Sequence, residues 1–268
     1  MASDTLRIPL SPLHSIELAE GLRQLLNKPQ EKDYSLHTIA RKAGPDGREL
    51  VHMELVLAGR LTREAFPLAA KYPVHFLKSY HPWAFHGDPA IEFKNAQLAS
   101  EILGCPEPIG CTSNSFRTAF IPAKPLARFS PFTDQEPHER CIAIAKETPQ
   151  ATLIGLWQLA LDTFAQLEKL HAHRYFHRDM ELHNVVVCTA PVRVFLIDFE
   201  SSEPDFVGPD ETFEERKHRD LEELLRFAVF VQCGLGPQEG ALADACRARL
   251  DKLFQAPASF APYIESGS

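Results

Sequence analysis

No stretch of about 18 apolar residues occurs in the 268-residue chain, and its opening MASDTLRIPL lacks the basic start and long apolar run of a leader. Neither a membrane span nor a secreted fate is expected, and the chain is read as soluble and cytoplasmic. Basic charge is also in deficit, with 28 Lys and Arg against 36 Asp and Glu, a net charge of −8. A phosphate-backbone partner would meet an unfavourable overall field, so nucleic acid is not expected as a partner. The six cysteines, at 105, 111, 141, 188, 233 and 246, include no C-x-x-C pair. A chain this long can build its core without crosslinks, which leaves them as free thiols in a reducing compartment. His171, His173, His177 and His183 crowd together but lack Cys partners and the H-E-x-x-H spacing that sets two ligands on one helix face, so no zinc site is expected. A G-x-S-x-G elbow, internal repeats and low-complexity segments are also missing.

What is present is an ordinary globular composition, 44% apolar, with a change of character along the chain. Between Thr38 and Tyr80 the apolar residues come as short runs, LHTIA, ELVHMELVLAG, EAFPLAA and YPVHFLKSY. These read as strands of an antiparallel sheet, with Gly44-Pro45-Asp46-Gly47 as a turn between two of them. AIEFKNAQLASEILG reads as a helix, because Asp88 can cap it, Pro89 sits in its first turn and Gly104 can end it. A Pro-rich interval from Pro106 to Pro137 holds one more strand-like run, SFRTAFI, and Ala119 to Pro131 is the candidate boundary between two lobes. Leu153, Trp157, Ala160, Phe164 and Leu167 recur at spacings of three and four, the stripe of a helix with one buried face. NVVVC and VRVFLID then read as a β-hairpin, and helical periodicity returns over 211–233 and 239–254. Strands come first and helices later, which makes the class α+β.

The stretch HRDMELHN, His177 to Asn184, lies between the long helix and the hairpin, and the hairpin's second strand ends in Asp198-Phe199-Glu200. Moving a phosphoryl group requires an acceptor to be oriented and charge on the phosphate oxygens to be screened by metal. A carboxylate and an amide on one loop, Asp179 and Asn184, and a second carboxylate at the hairpin's far end, Asp198, can converge on one metal–phosphate cluster. A second His-Arg-Asp, His218 to Asp220, has Leu225 where the Asn would stand and no strand ending in Asp-Phe after it.

In order and spacing these elements resemble the protein-kinase superfamily, whose catalytic loop reads H-R-D-x-x-x-x-N and whose metal strand ends in D-F-G. The resemblance implies a bilobal fold: a small antiparallel-sheet N-lobe with one main helix, and a mainly helical C-lobe carrying the catalytic-loop hairpin. Residues 1–122 would form an N-terminal extension and nucleotide-binding lobe, and residues 123–268 the helical lobe, together making one domain. It implies ATP and Mg²⁺ as cofactors. Asp179 would orient the acceptor hydroxyl, with His177 and Arg178 supporting its loop, while Asn184 and Asp198 would ligate metal. Lys78, ending VHFLK, is similar to the lysine that contacts the α- and β-phosphates. Its ion-pair partner would be Glu92 or Glu101, and Glu92 is preferred for its place early in the helix.

Several departures mark an atypical member. No G-x-G-x-x-G precedes Lys78, and Gly59 alone stands where a phosphate-covering loop is expected, with Arg60 or Arg63 as possible sources of charge. Glu181 replaces the lysine usual two residues after the catalytic Asp, and Glu200 replaces the Gly of D-F-G. Only 22 positions separate Asp198 from Asp220, without an A-P-E-like sequence. Asp220 could anchor the catalytic loop or simply favour the start of a helix. The implied activity is transfer of the γ-phosphate of ATP to a hydroxyl, as an atypical Ser/Thr protein kinase. A small-molecule kinase of the same fold and a weak pseudokinase acting as a binding module remain open alternatives.

Overall fold

The computed structural model describes residues 6–11, 14–18 and 31–236, apart from 73, 84–86, 122, 133–136, 190–191 and 205–211. The helix expected over 239–254, Cys246 and the C-terminal tail lie outside the described residues. Strands β1 (Leu6–Ser11) and β2 (His14–Leu18) form an antiparallel pair.

The main sheet has five strands: β3 (Tyr34–Ala43), β4 (Glu49–Leu57), β5 (Val74–Tyr80), β6 (Pro108–Thr112) and β7 (Ser115–Ala119). Their order is β3-β4-β5-β7-β6 with every pairing antiparallel. Gly44 to Gly47 makes the expected turn, with Gly47 at φ 75 where a side chain would be strained. The run EAFPLAA is helical and not a strand. It contributes to α1 (Arg60–Ala65) and α2 (Leu68–Lys71), two short helices in the connection from β4 to β5. Ala and Leu are strong helix formers, and Pro67 at the N-cap of α2 has no N–H to lose there. Phe66, Leu68 and Tyr72 of this connection pack on buried Ala58, Ala69 and Ile109.

Helix α3 (Pro89–Leu103) follows its sequence signals. The Asp88 carboxylate accepts from the Ala90 N–H at 2.8 Å, and Gly104 ends the helix at φ 65. It packs against β6, β7 and the long helix α5 (Gln150–Ala172). The five stripe residues of α5 are all buried, with Leu153, Ala160 and Leu167 at 0% exposure. Each large side chain so buried contributes about 1.5–3 kcal/mol, so this one face anchors the helical part. α5 also packs on α6 (Phe213–Leu235), which opens with a Thr212–Glu215 capping box, and α4 (His138–Glu147) packs on α6 as well. Strand β6, inside the Pro-rich interval, and helix α4, just after it, were not legible as elements.

Strands β10 (Val185–Thr189) and β11 (Val192–Leu196) form the expected hairpin, joined on the other side by β8 (Lys124–Pro125). The chain thus leaves the five-stranded sheet at Ala119 and enters the small sheet at Lys124. The pair β9 (Tyr175–Phe176) and β12 (Glu203–Pro204) brackets the HRD stretch and the residues after Asp198. The result is α+β: an antiparallel sheet with one main helix, then a mainly helical part holding a hairpin. Among the described residues no helix is long and apolar enough to cross a membrane. The five described cysteines form no disulfide.

Candidate functional site

Alternation along β5 puts Phe76, Lys78 and Tyr80 on one face of the sheet and His75, Leu77 and Ser79 on the other. Lys78 therefore faces α3 and the hairpin. Its ammonium lies 3.3 Å from Glu92 Oε1, 2.9 Å from Asp198 Oδ1 and 2.9 Å from Glu200 Oε2. Lys78 is 3% exposed and Glu92 2%. Glu101 is exposed on the opposite side of α3, so the choice between the two glutamates falls on Glu92.

Charges this close and this buried reshape one another. Burial works to lower the pKa of Lys78, but the surrounding carboxylates, led by Glu92 and Asp198, outweigh it and hold the ammonium well above its usual range. For Asp198 burial works upward, and Lys78 outweighs it and keeps the carboxyl ionised. Burial dominates at Glu92, whose pKa is pushed up to about 7 despite Lys78. The Tyr80 hydroxyl donates its one proton to Glu92, and Glu200 Oε2 lies 3.2 Å from the same hydroxyl oxygen.

The HRD stretch is held from below by Asp220. One carboxylate oxygen accepts from the His177 N–H at 2.8 Å and lies 3.0 Å from His171 Nε2. The other accepts from the Arg178 N–H at 2.6 Å. Arg178 sits at φ 70 and Asp198 at φ 62, left-handed conformations that a side chain adopts at some strain. Asp220 thus fixes one of the two strained residues through its backbone. It is 3% exposed and lies within α6, which removes the reading of it as a solvated helix-start aspartate. The second His-Arg-Asp is part of that same helix. His177 is fully buried, with Nε2 3.0 Å from the Ile197 carbonyl, and burial pushes its pKa down.

Asn184 donates its side-chain amide to Asp179, to the carbonyl at 2.8 Å and to Oδ2 at 3.1 Å. Its own carbonyl accepts from the Ile197 N–H at 2.9 Å. The hydrogen bond ties the loop to the residue before Asp198, so loop and hairpin end cannot move independently. Asn184's amide oxygen is then the atom it can offer to a cation. Arg178 turns away from this cluster to pair with Glu203 at 3.1 Å.

Lys78, Glu92 and Asp198 are therefore in contact, and Asp179, Asn184, His177 and Arg178 form the adjoining loop. Gly59 is elsewhere. It is the N-cap of α1, not part of the hairpin turn, and its N–H is committed to Asp33 Oδ1 at 2.9 Å. Asp33 also pairs with Arg117 and lies 3.7 Å from His75 Nε2, on the face of the sheet opposite Lys78. A glycine in the right stretch of sequence marked the end of a strand, and the turn between β3 and β4 is Gly44 to Gly47. Arg60 is likewise remote, pairing with Glu31 at 3.0 Å.

The four histidines have separate partners: His171 lies beside Asp220 and His177 beside the Ile197 carbonyl. His173 bonds the Lys169 carbonyl, and His183 pairs with Glu181 at 3.2 Å. Among the described residues, ligand atoms of three acidic groups, Glu92, Asp198 and Glu200, lie within 4.8 Å of one another. All three already reach the Lys78 ammonium, whereas the Asp198 carboxylate together with the Asn184 amide oxygen offers hard oxygen donors of the kind that suit Mg²⁺. Tyr80 and Asn95 escaped the sequence reading. Asn95 is 8% exposed on α3 and donates to the Phe199 and Ser202 carbonyls at 3.0 and 2.7 Å, gripping the segment after Asp198. A polar residue one turn from Glu92 on a buried helix face was the available signal.

No protein-family model matches the chain, and no curated protein matches it in sequence. Among solved structures it is similar to a Rio2 kinase from Chaetomium thermophilum, in a complex described as ADP/Mg²⁺-phosphoaspartate. The identity is 16% and the TM-score 0.47, with 98% of this chain and 80% of that one covered.

Proposed function

We propose that the chain is an atypical kinase that moves the γ-phosphate of ATP to a hydroxyl with Mg²⁺. The observation that carries this reading is the contact of Lys78 with both Glu92 and Asp198, because Asp198 lies 120 positions from Lys78 and just beyond an HRD loop. A buried ammonium held between a helix carboxylate and a hairpin-end carboxylate is a phosphate anchor of the kind kinases use. The division near residues 122 and 123 fits it, since the chain changes sheets there.

Each residue has a part in this reading. Lys78 binds phosphate oxygens, and Glu92 keeps it oriented. Asp179 takes a hydrogen bond from Asn184, which aims its carboxylate to orient the acceptor hydroxyl and receive its proton. Asn184 and Asp198 would hold Mg²⁺, which when bound neutralises charge on the transferring phosphoryl oxygens. Asp220 and His177 keep the loop in its strained shape, and Arg178 braces it against Glu203. The acceptor is a protein Ser/Thr hydroxyl or that of a small molecule.

The test is Mg²⁺-dependent ATP turnover by the purified chain, with peptides and a panel of hydroxyl metabolites as acceptors. Asp179→Asn is expected to lower turnover by at least about 10²-fold, the lower end for a general base, with Tm nearly unchanged. Equal turnover in the variant would sink the assignment. Mg²⁺-dependent binding of ATP without turnover on any acceptor would favour the binding-module alternative.

A further inference from the structure

The Lys78 ammonium carries three N–H bonds. Three carboxylates take them: Glu92 Oε1 at 3.3 Å, Asp198 Oδ1 at 2.9 Å and Glu200 Oε2 at 2.9 Å. An arriving phosphate oxygen finds no donor on this lysine until one carboxylate leaves. The three are held unequally. The Glu92 side chain is 3% exposed and also takes the Tyr80 hydroxyl. That of Asp198 is 23% exposed, and the residues after it are gripped by Asn95. Glu200 is the most accessible, 30% exposed, and its further contact is a longer one, 3.2 Å from the Tyr80 hydroxyl.

The place Glu200 occupies is shaped for it. A Cβ on Gly87 would lie 2.2 Å from Tyr80 Cε1 and 2.7 Å from Glu200 Oε1, and Gly87 adopts φ 103. Glycine at this position lets the chain ahead of α3 close against both side chains. Glu200 also stands where the resembled motif has a glycine, which could offer Lys78 no charge.

We propose that Glu200 is an internal substitute for phosphate: a carboxylate latch, seated between Tyr80 and Gly87, that takes the donor of Lys78 a polyphosphate needs and swings out when one binds. The class of ligand rests on the kinase reading, whereas the latch itself rests on the donor count.

Calorimetric titration of parent, Glu200→Gln and Tyr80→Phe proteins separates the two. The probes are inorganic tripolyphosphate in EDTA and ATP with Mg²⁺. Glu200→Gln is expected to bind tripolyphosphate about tenfold tighter, the scale of one charge-assisted hydrogen bond. Tyr80→Phe should shift it in the same sense by less, and adding Lys78→Met to Glu200→Gln should remove the gain. Unchanged or weaker tripolyphosphate binding in Glu200→Gln, with its Tm intact, overturns the latch. So does a gain that survives loss of Lys78, which would be general repulsion, or no tripolyphosphate binding by any variant. A weakening confined to ATP with Mg²⁺ would make Glu200 a metal ligand and also overturn it. If the gain is found but ATP with Mg²⁺ binds no better than tripolyphosphate with Mg²⁺, the latch stands and the ATP reading fails.

Discussion

His177 shows how a single buried ring ties stability to pH. It is 0% exposed and burial pushes its pKa below the usual value, as burial also does for His75. As pH falls, the unfolded chain takes up these protons first. The stability these neutral rings contribute is therefore complete above the ordinary histidine pKa of about 6.5 and is lost progressively below it. Glu92, pushed up to about 7, has the opposite sense: its folded state binds the proton first, so its contribution grows as pH falls from about 7. His177→Gln keeps a donor for the Ile197 carbonyl and removes the titrating ring. Urea unfolding of this variant is expected to lose less stability than the parent between about pH 7.5 and about pH 5.5. A loss equal to the parent's would mean that this ring contributes nothing to the acid dependence.

Helices place the site, and two glycines test how closely they are packed. Gly234 on α6 would put a Cβ 2.4 Å from the Ala145 carbonyl of α4 and 2.7 Å from Leu153 Cδ1 of α5. Backbone cannot give way as a flexible side chain can, so three helices must separate. Gly234→Ala is expected to destabilise by about 1–3 kcal/mol. Gly155, inside α5, has nothing within 4 Å of such a Cβ. There the same substitution relieves only the entropy of an unneeded glycine and should stabilise by about 0.5–1 kcal/mol. Thermal melts of the two variants should move in opposite directions, and equal shifts would contradict the packing described here. α3 works in the same way through its cap, because Asp88 fixes the start of the helix that presents both Glu92 and Asn95.

Across the whole molecule, Lys78 is a tie between the sheet and the helical part. It joins β5 and α3 to the end of the hairpin by the contacts with Glu92 and Asp198. Removing one partner of a buried charge group leaves the rest uncompensated, commonly at a cost of about 3–5 kcal/mol. Lys78→Met is expected to destabilise the protein by roughly that amount near neutral pH, measured by urea unfolding. The loss should shrink toward about pH 5, because the buried Glu92 and Asp198 carboxylates without their cation take up protons and cease to repel. A loss that is independent of pH would show that packing, and not charge, is what the lysine provides.

The sequence by itself determined the order of strands and helices around the site and the loop from His177 to Asn184. It also determined α3 with its cap, because these follow from local pattern: period-two and period-three-to-four burial, a capping carboxylate, a left-handed glycine. It could not separate Glu92 from Glu101 with more than a preference, since both lie on one helix, and only burial of one face distinguishes them. Gly59 was misplaced because a strand-ending glycine and a hairpin glycine look alike until pairing is known. EAFPLAA was misread because a run of four to seven apolar residues is too short to show its period. Asp220, Tyr80, Asn95 and the seat of Glu200 were decided by tertiary structure alone. Their roles depend on contacts between residues up to 122 positions apart, and no local pattern encodes which distant donors a carboxylate will meet.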